Sequence, residues 1–308
     1  MRIVFLGTPE FTLPILEACA DQLVAVVAQP DKPVGRHAEL RAPASKKWAL
    51  EHGIPVLQPE KLKQGRLAAL LASVQPDVAV VAAYGRIIPA DALAVPRHGS
   101  LNVHASLLPE LRGAAPAQWA IARGFSETGV TIMQIDEGLD TGDIRLQKRI
   151  AIAPNETGET LLAKLGVLGA AALREALGLL EQGKLPRIPQ ENAKATLAPL
   201  LTRDDGRVDW TKSAFELDAR RRGFTPWPGA WTTVNGSVLK IHSAAPFAAG
   251  VAAKGAPGEL LQLPPGAVAC GQGTSWQLEE VQPEGKKRMP AAAWLLGARL
   301  QPGARLGT

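Results

Sequence analysis

The chain has 308 residues and a mass of 32.5 kDa, a length that predicts two domains. With 46% hydrophobic and 20% charged residues, the composition is that of a folded globular protein and excludes a disordered or fibrous one. The net charge of +5 is concentrated late, because residues 203–308 hold 13 Lys/Arg against 9 Asp/Glu, a balance of +4. This excess suggests a polyanionic partner, although a charge of this size is also ordinary for solubility.

The apolar runs and the cysteine spacing indicate the compartment in which the protein is found. No apolar run reaches the roughly 18–20 residues that span a bilayer. The first apolar run, residues 3–6, is broken at residues 7–9, too early for a signal peptide, so a cytoplasmic protein without membrane contact is expected. The two cysteines, Cys19 and Cys270, lack the spacing of a zinc site or a disulfide framework. We predict that each is a small buried apolar residue.

The first half of the chain alternates strand and helix patterns. Predicted strands cover residues 2–6, 23–28, 78–82, 100–104 and 130–135, and predicted helices cover 11–21, 45–52, 61–73 and 159–182. The alternation predicts right-handed βαβ units and a doubly wound, mostly parallel Rossmann-like sheet, whose ligands bind at the carboxyl ends of the strands. Neither a GxGxxG turn nor a P-loop occurs, so dinucleotide and nucleotide triphosphate sites are unsupported.

The second half changes character after residue 183. Proline and polar residues over 183–202 are typical of a linker. Short alternating segments separated by turn residues follow, and they predict a small OB-like β-barrel with strands at residues 230–234, 237–242, 258–262, 267–270 and 275–281. We therefore expect a first domain over 1–188, a linker over 189–206 and an OB-like domain over 207–308. Such barrels often hold single-stranded nucleic acid, but the shape alone does not establish that use.

Two side chains at the end of the predicted strand 100–104 indicate chemistry. Asn102 and His104 are two residues apart, so their side chains share one face of the strand. The pair suits acyl transfer, because an amide can hydrogen-bond the oxyanion of a tetrahedral intermediate while an imidazole polarises or protonates the same oxygen. The alternative for an isolated pair is a structural histidine that caps the loop.

An acidic loop follows the predicted strand 130–135, again at a carboxyl end. It carries four carboxylates in eight residues: Asp136, Glu137, Asp140 and Asp143. Such a loop can be merely solvated, can bind a hard metal ion, or can place one carboxylate against His104. A metal is disfavoured because no second cluster supplies ligands. Periodicity does not say which carboxylate faces the imidazole.

Taken together, these motifs resemble those of the 10-formyltetrahydrofolate-dependent formyltransferases. The resemblance is carried by Asn102-Val103-His104, Ser106-Leu107-Leu108-Pro109, Arg112-Gly113 and Asp140-Thr141-Gly142-Asp143. Four further segments extend it over nearly the whole chain and resemble the members that act on methionyl initiator tRNA. They are FLGTPEF at 5–11, QPDKPVGR at 29–36, AYGRIIP at 83–89 and FTPWPGA at 224–230.

The resemblance implies site residues and substrates. It implies a catalytic trio of Asn102, His104 and Asp140, with 10-formyltetrahydrofolate as co-substrate and no metal. It also implies a folate pocket lined by the acidic loop and by Ser106, Leu107, Leu108, Pro109, Arg86, Ile87 and Ile88. Contacts to tRNA are implied for the basic insertion that holds Lys32, Arg36 and Arg41, in which His37-Ala38-Glu39 replaces the usual lysine-rich continuation. By charge, the second domain adds Arg220-Arg221-Arg222 and Lys286, Lys287 and Arg288 as candidates.

The expected reaction moves a formyl group from 10-formyltetrahydrofolate to the α-amino group of methionine on initiator tRNA and supports translation initiation. We expect a monomer. The alternatives are a formyltransferase for a sugar nucleotide amine, a folate-hydrolysing deformylase and a non-catalytic tRNA-binding protein. The QPDKPVGR and GTPEF segments argue against the first alternative, and the joint presence of Asn102, His104 and Asp140 argues against the last. Nothing in the sequence excludes hydrolysis as a side reaction.

Overall fold

The computed structural model describes residues 1–34, 39–247, 255–261, 266–300 and 303–307. The chain divides into two compact units. The first unit comprises Met1–Pro116, Glu127–Ala151 and Leu162–Pro199, and the second comprises Ala117–Ser126, Ile152–Leu161 and Leu200–Thr308. Among the described residues, no helix has both the length and the apolarity needed to cross a bilayer.

The first unit is built on a seven-stranded sheet. The described strands of this unit are β1 (Ile3–Gly7), β2 (Leu23–Val27), β3 (Lys32–Val34), β4 (Glu39–Arg41), β5 (Val56–Leu57), β6 (Val78–Ala82), β7 (Ser100–His104), β8 (Glu127–Gln134) and β9 (Ile144–Ala151). Strands β3 and β4 form a separate hairpin, and the others lie in the order β5-β2-β1-β6-β7-β8-β9. The pairings from β5 to β7 are all parallel, which confirms the Rossmann-like core.

Helices alternate with these strands. They are α1 (Leu13–Glu17), α2 (Ala44–Glu51), α3 (Arg66–Val74), α4 (Ala90–Leu93), α5 (Pro116–Ala122) and α6 (Gly158–Glu181). Helix α3 starts five residues later than predicted because Gly65, at φ +72°, takes a left-handed conformation just before it. Every residue of β1 and of β6 is buried, and both strands contribute to an apolar core with Leu67 and Leu71 of α3. This core fixes the strands from which the polar site residues emerge.

The sheet departs from the predicted parallel pattern at β8. Strand β8 runs antiparallel to β7, with His104 opposite Thr131 and Leu101 opposite Gln134. Strand β9, which the sequence analysis missed, pairs antiparallel with β8. The acidic loop is therefore a hairpin connection that leaves the sheet beside the start of β7. The expectation that this loop shares the carboxyl edge of the parallel strands is wrong, because β8 runs antiparallel to β7 and its last residues lie beside the first residues of β7.

The second unit contains a five-stranded antiparallel sheet. Its elements are α7 (Ala214–Gly223), β10 (Ala230–Val234), β11 (Ser237–Phe247), β12 (Ala267–Ala269), β13 (Ser275–Pro283), β14 (Met289–Pro290) and α8 (Ala291–Ala298). The prediction of a strand over 258–262 is wrong for the residues that the structure describes there. Glu259 and Leu260 form only single β-bridges, and they follow Gly258, whose φ is +86°. Trp210, Trp276 and Trp294 fill the core. An antiparallel sheet is what period-two alternation predicts.

Both cysteines are buried, as the sequence analysis predicted. Cys19 is 3% exposed and Cys270 is 5% exposed. Burial raises the pKa of each thiol to about 12. Since the thiolate is the reactive form, both side chains act as apolar packing residues.

Candidate active site

Asn102, His104 and Asp140 come together in the first unit. The Asn102 and His104 side chains lie on one face of β7, as alternation along a strand requires. An Asp140 Oδ2 lies 3.6 Å from Nδ1 of His104, and Asn102 Nδ2 donates a long hydrogen bond of 3.5 Å to Asp140 Oδ1. The His104 side chain is 6% exposed and that of Asp140 is 16% exposed. The three polar groups thus meet where little water competes for them.

The backbone of the acidic loop is shaped to bring Asp140 to this point. Asp140 has a left-handed backbone with φ +51°, a conformation that Asp and Asn adopt more readily than other side chains. Its Oδ2 also accepts a hydrogen bond of 2.8 Å from the amide of Gly113. A Cβ at position 142 would collide with the carbonyl oxygen of Gln134, so the loop needs glycine there. The carboxylate is held by a backbone donor as well as by its side-chain neighbours.

The imidazole of His104 is oriented from its other side by a backbone carbonyl. Nε2 of His104 lies 3.0 Å from the carbonyl oxygen of Leu111. A carbonyl oxygen can only accept, so Nε2 carries a proton and donates it to this bond. Nδ1 is thereby left to face Asp140. This arrangement fixes the ring plane and presents one ring nitrogen to a carboxylate.

Three of the four carboxylates in the acidic loop have different partners. Asp136 accepts hydrogen bonds from the Gly138 amide and the Thr141 hydroxyl, so it shapes the loop itself. Asp143 forms an ion pair of 3.1 Å with Arg187. Asp140 faces His104, as predicted from the motif. Among the described residues, no group of three or more His, Cys, Asp or Glu side chains could hold a metal ion.

The turn predicted to bind folate packs tightly against β8. Ser106 is buried, and its hydroxyl donates to the carbonyl oxygen of Glu110 at 2.6 Å. Thr131 Oγ1 donates to the carbonyl of Ser106 and accepts from the amide of Leu108. The Leu108 side chain is buried in a small cluster with Met133 and Ile144. The turn formed by Ser106, Leu107, Leu108 and Pro109 is therefore held rigidly beside the end of β7.

The second predicted folate segment follows β6, the parallel neighbour of β7. The Arg86 guanidinium donates to the carbonyl oxygens of Pro59 and Glu60, both at 2.8 Å. Ile88 packs against the apolar core beneath it. Ile87, in contrast, is 92% exposed. Arg86 and Ile88 anchor the segment, which leaves Ile87 as an apolar side chain on the surface.

The basic insertion is only partly described. Arg36 lies outside the described residues, as do His37 and Ala38. Lys32 and Arg41 face each other directly in the β3–β4 hairpin, and both are exposed. Two like charges at opposed positions of an antiparallel pair repel each other. The hairpin therefore presents a local positive charge that an anion would stabilise.

Not every basic residue near the insertion is available to a ligand. Lys46 forms an ion pair of 2.9 Å with Asp31. Hydrogen bonds from Gln58 and from Lys46 hold the pKa of the Asp31 carboxyl below its ordinary value. Lys46 thus serves to fix the base of the insertion.

The basic residues of the second unit differ in their exposure to solvent. Arg221 and Arg222 both bind the carboxylate of Asp218 at 2.7 Å and are less than 20% exposed. These two arginines serve the packing of α7 and are poorly placed to contact phosphate. Lys286, Lys287 and Arg288 are all exposed on the turn between β13 and β14. Arg288 lies 3.5 Å from Glu280, an exposed ion pair.

Comparison with known proteins decides the family. Residues 1–177 match the family model described as formyl transferase, and residues 200–299 match the one described as formyl transferase, C-terminal domain. The chain belongs to the formyl transferase family. It is 52% identical to the methionyl-tRNA formyltransferase of Anaeromyxobacter sp. (strain K), with 100% of both chains covered. It is also 52% identical to that of Myxococcus xanthus (strain DK1622), with 99% of this chain and 97% of the relative covered.

A solved structure also resembles this formyltransferase. The sugar 3N-formyl transferase WlaRD, crystallised with dTDP and 5-N-formyl-tetrahydrofolate, superposes with a TM-score of 0.65. The match covers 93% of this chain and 99% of that chain. At 18% sequence identity, the likeness concerns the fold alone.

Sequence reasoning missed the residues that support the trio of this formyltransferase. Arg112 was recognised only as part of a motif, yet its guanidinium is buried and binds the side-chain oxygens of Gln190 and Asn192. Thr196 accepts from the amide of Leu111 through its hydroxyl and from the amide of Arg112 through its carbonyl. Gln190, Asn192 and Thr196 all fall in the segment predicted to be a linker. Their composition gave no signal, because polar residues near prolines are typical of any loop.

Proposed function

We propose that this chain is a methionyl-tRNA formyltransferase. It transfers the formyl group of 10-formyltetrahydrofolate to the α-amino group of methionine esterified to initiator tRNA, and so supports translation initiation. The observation that carries the proposal is the full-length identity of 52% to methionyl-tRNA formyltransferases, which spans both units of the chain. The meeting of Asn102, His104 and Asp140 supplies the chemistry that such a transfer needs.

The trio has a defined division of work in this proposal. The neutral amine of methionine attacks the formyl carbon, and negative charge develops on the formyl oxygen. The tetrahedral intermediate then collapses with cleavage of the bond between the formyl carbon and N10 of the folate, and N10 takes up the proton that the amine releases, so tetrahydrofolate leaves. Asn102 donates a hydrogen bond to the formyl oxygen from Nδ2, and His104 donates from Nδ1, because its Nε2 is already bound to the carbonyl oxygen of Leu111. Asp140, at 3.6 Å from Nδ1 of His104, orients the ring and helps to move the proton released by the amine.

Two loops supply the folate site in this proposal. The turn Ser106–Pro109 follows β7 and the segment Arg86–Ile88 follows β6, so the two leave the sheet from adjacent strands. The exposed apolar side chains Ile87 and Leu139, at 92% and 63%, suit an aromatic ring system that displaces water from them. Folate is such a ring system with a charged tail. The internal hydrogen bonds of Ser106 and Arg86 keep both loops in shape before the ligand arrives.

Contacts to tRNA are assigned to both units. In the first unit, we assign the basic insertion with Lys32, Arg36 and Arg41 to the acceptor end of the tRNA. In the second, Lys286, Lys287 and Arg288 neutralise phosphates. We assign residues 1–188 to a catalytic domain and 207–308 to an OB-like barrel that binds tRNA, an assignment supported by the exposed Lys286, Lys287 and Arg288. Residues 189–206 connect the two as a linker, from which Gln190 also reaches back to the acidic loop. The protein acts as a cytoplasmic monomer in this proposal.

A formyl-transfer assay tests the function directly. The purified chain is incubated with 10-formyltetrahydrofolate and with initiator tRNA charged with methionine, and N-formylmethionine is measured after mild hydrolysis of the ester. Transfer that depends on both substrates supports the proposal. Release of formate without N-formylmethionine would identify a deformylase, and tRNA binding without either product would identify a non-catalytic protein.

Neutralising the basic turn of the second unit is expected to weaken binding to initiator and elongator tRNAs equally. Replacing Lys286, Lys287 and Arg288 by glutamine removes contacts to phosphate, which carry no sequence information. The slope of log affinity against log salt should flatten by about one for each lost phosphate contact. Binding titrations with both tRNAs at two salt concentrations measure this. Lys148→Gln with Arg149→Gln is the control, because both residues lie on β9 of the first unit, outside the basic turn. A loss confined to initiator tRNA would contradict the assignment.

Arg36→Ala is expected to behave differently. Formylation of initiator tRNA should fall more than general tRNA affinity, because Arg36 is assigned to the acceptor end, where the methionine is carried. Arg36→Lys is the matched control, since it keeps the charge and loses the planar guanidinium. Titration gives the affinity, and kcat/KM for charged initiator tRNA gives the rate. Unchanged formylation kinetics in Arg36→Ala would remove the basic insertion from the mechanism.

A further inference from the structure

The side-chain amide of Gln190 connects two parts of the active site. Its Nε2 donates to the carbonyl oxygen of Asp140 at 2.8 Å and to that of Gly142 at 2.7 Å. Its Oε1 accepts from Nε of Arg112 at 3.1 Å and from Nη2 of Arg112 at 2.7 Å. Both amide hydrogens and the amide oxygen are therefore engaged. One half-buried side chain ties the acidic loop to Arg112.

Arg112 occupies the position between the two backbone groups that hold the trio. The carbonyl of Leu111, just before it, orients the His104 ring at 3.0 Å. The amide of Gly113, just after it, donates to the Asp140 carboxylate at 2.8 Å. The Arg112 side chain is 7% exposed, and its guanidinium is held by the side-chain oxygens of Gln190 and Asn192. Fixing Arg112 therefore fixes the supports of both His104 and Asp140.

A closed ring of hydrogen bonds results. It passes from Gln190 to the backbone of Asp140, from the Asp140 carboxylate to Gly113, and along the chain to Arg112, whose guanidinium returns to Gln190. Within a ring, each bond restricts the geometry of the others. A loop such as 136–143 would otherwise be free to move its carboxylate relative to His104, and a shift of about 1 Å at a reacting group costs about 100-fold in rate.

We propose that Gln190 is a positioning residue for formyl transfer, which holds the Asp140 carboxylate against His104 by fastening the acidic loop to Arg112. This inference rests on the proposed function for its kinetic consequences. Its structural part concerns the chain alone, since the ring contains only residues of the first unit.

Glutamine is the side chain that meets both demands of this position. A glutamate has the same shape and could accept from Arg112, but it has no hydrogens for the carbonyl oxygens of Asp140 and Gly142 and would repel them. A methionine has a similar length and no strong donor or acceptor. Gln190→Glu therefore breaks the link to the acidic loop and keeps the link to Arg112, whereas Gln190→Met breaks both.

The test compares Gln190→Met and Gln190→Glu with two matched controls on the same segment. Glu191→Gln changes an exposed neighbour whose partner is Lys194. Asn192→Ala removes an acceptor of Arg112 and leaves the acidic loop attached to Gln190. We expect the single-turnover rate constant for formyl transfer to fall about 10–100-fold in both Gln190 variants. The steady-state KM for both substrates should be nearly unchanged. Glu191→Gln should match the wild type, and Asn192→Ala should lose less than either Gln190 variant.

Two further readouts separate positioning from a merely structural role. In an Asp140→Asn background, Gln190→Met should cause little additional loss, because the carboxylate that it positions is gone. The Gly113 amide, which donates to Asp140, should exchange its hydrogen faster in Gln190→Met than in the wild type, while thermal unfolding of the two remains similar.

Wild-type kinetics in both Gln190 variants, or a full additional loss in the Asp140→Asn background, would overturn the inference. Unchanged exchange at Gly113 would overturn it as well, and that readout applies whatever reaction the chain catalyses. A wild type that fails to formylate initiator tRNA would instead overturn the proposed function.

Discussion

Replacing His104 or Asn102 by alanine is expected to lower kcat by about 10²–10³-fold in each case, the usual cost of losing one donor to an oxyanion. Affinity for tRNA should change little, because both side chains act on charge that develops only in the transition state. The burial of His104, with Nε2 held by the Leu111 carbonyl and Nδ1 facing Asp140, keeps the ring in one orientation before the substrate binds. Preorganisation makes the loss appear in kcat and leaves KM nearly unchanged.

Single-turnover kinetics with charged initiator tRNA measure this effect without interference from product release. His98→Ala is the matched control, since His98 lies just before the start of β7, at the opposite end of that strand from His104. The control should retain wild-type kinetics. A near wild-type rate for His104→Ala or Asn102→Ala would contradict the assignment of that residue.

Asp140→Asn is expected to lower kcat by about 10²–10⁴-fold, the range over which proton transfer by a positioned side chain contributes. The substitution keeps the shape of the side chain and suits the left-handed backbone at φ +51°, because asparagine adopts this conformation readily. It removes the negative charge that faces Nδ1 of His104. The variant should therefore fold normally and fail in catalysis.

Asp143→Asn is the matched comparison, from the same loop and with the same chemical change. Asp143 pairs with Arg187, whose side chain is 68% exposed, and an exposed pair of this kind is worth about 0–1 kcal/mol. Its loss should leave kcat within a few-fold of the wild type. Equal effects of the two substitutions, measured by steady-state and single-turnover kinetics, would mean that Asp140 is not the carboxylate that matters.

The sequence predicts best where chemistry and burial repeat in a regular way. Strands β6 and β7 have the predicted bounds, and their residues are buried almost throughout. Asn102 and His104 share a face because alternation along a strand is geometric. The choice of Asp140 from the acidic loop came from resemblance, and its 3.6 Å approach to His104 agrees with that choice.

Features that depend on contacts distant in the chain were beyond the sequence analysis. Strand β9 shows alternating burial, a signal that could have been found, but its many charged residues obscured it. The antiparallel direction of β8 was hidden because a buried strand has the same apolar pattern in either direction. Gln190 reaches Asp140 across 50 positions of sequence, and no local pattern marks such a partner.

Measuring which acceptor receives the formyl group decides between a tRNA substrate and a sugar nucleotide substrate. Initiator tRNA charged with methionine and a dTDP-linked amino sugar are offered separately, at equal concentration, to the same enzyme with 10-formyltetrahydrofolate, and the kcat/KM of each is determined. We predict formylation of the methionine α-amino group, with a kcat/KM for the tRNA that exceeds that for the amino sugar by at least about 10³-fold, as expected when contacts to a large substrate contribute to transition-state binding. Formylation of the amino sugar with an equal or higher kcat/KM would contradict the account.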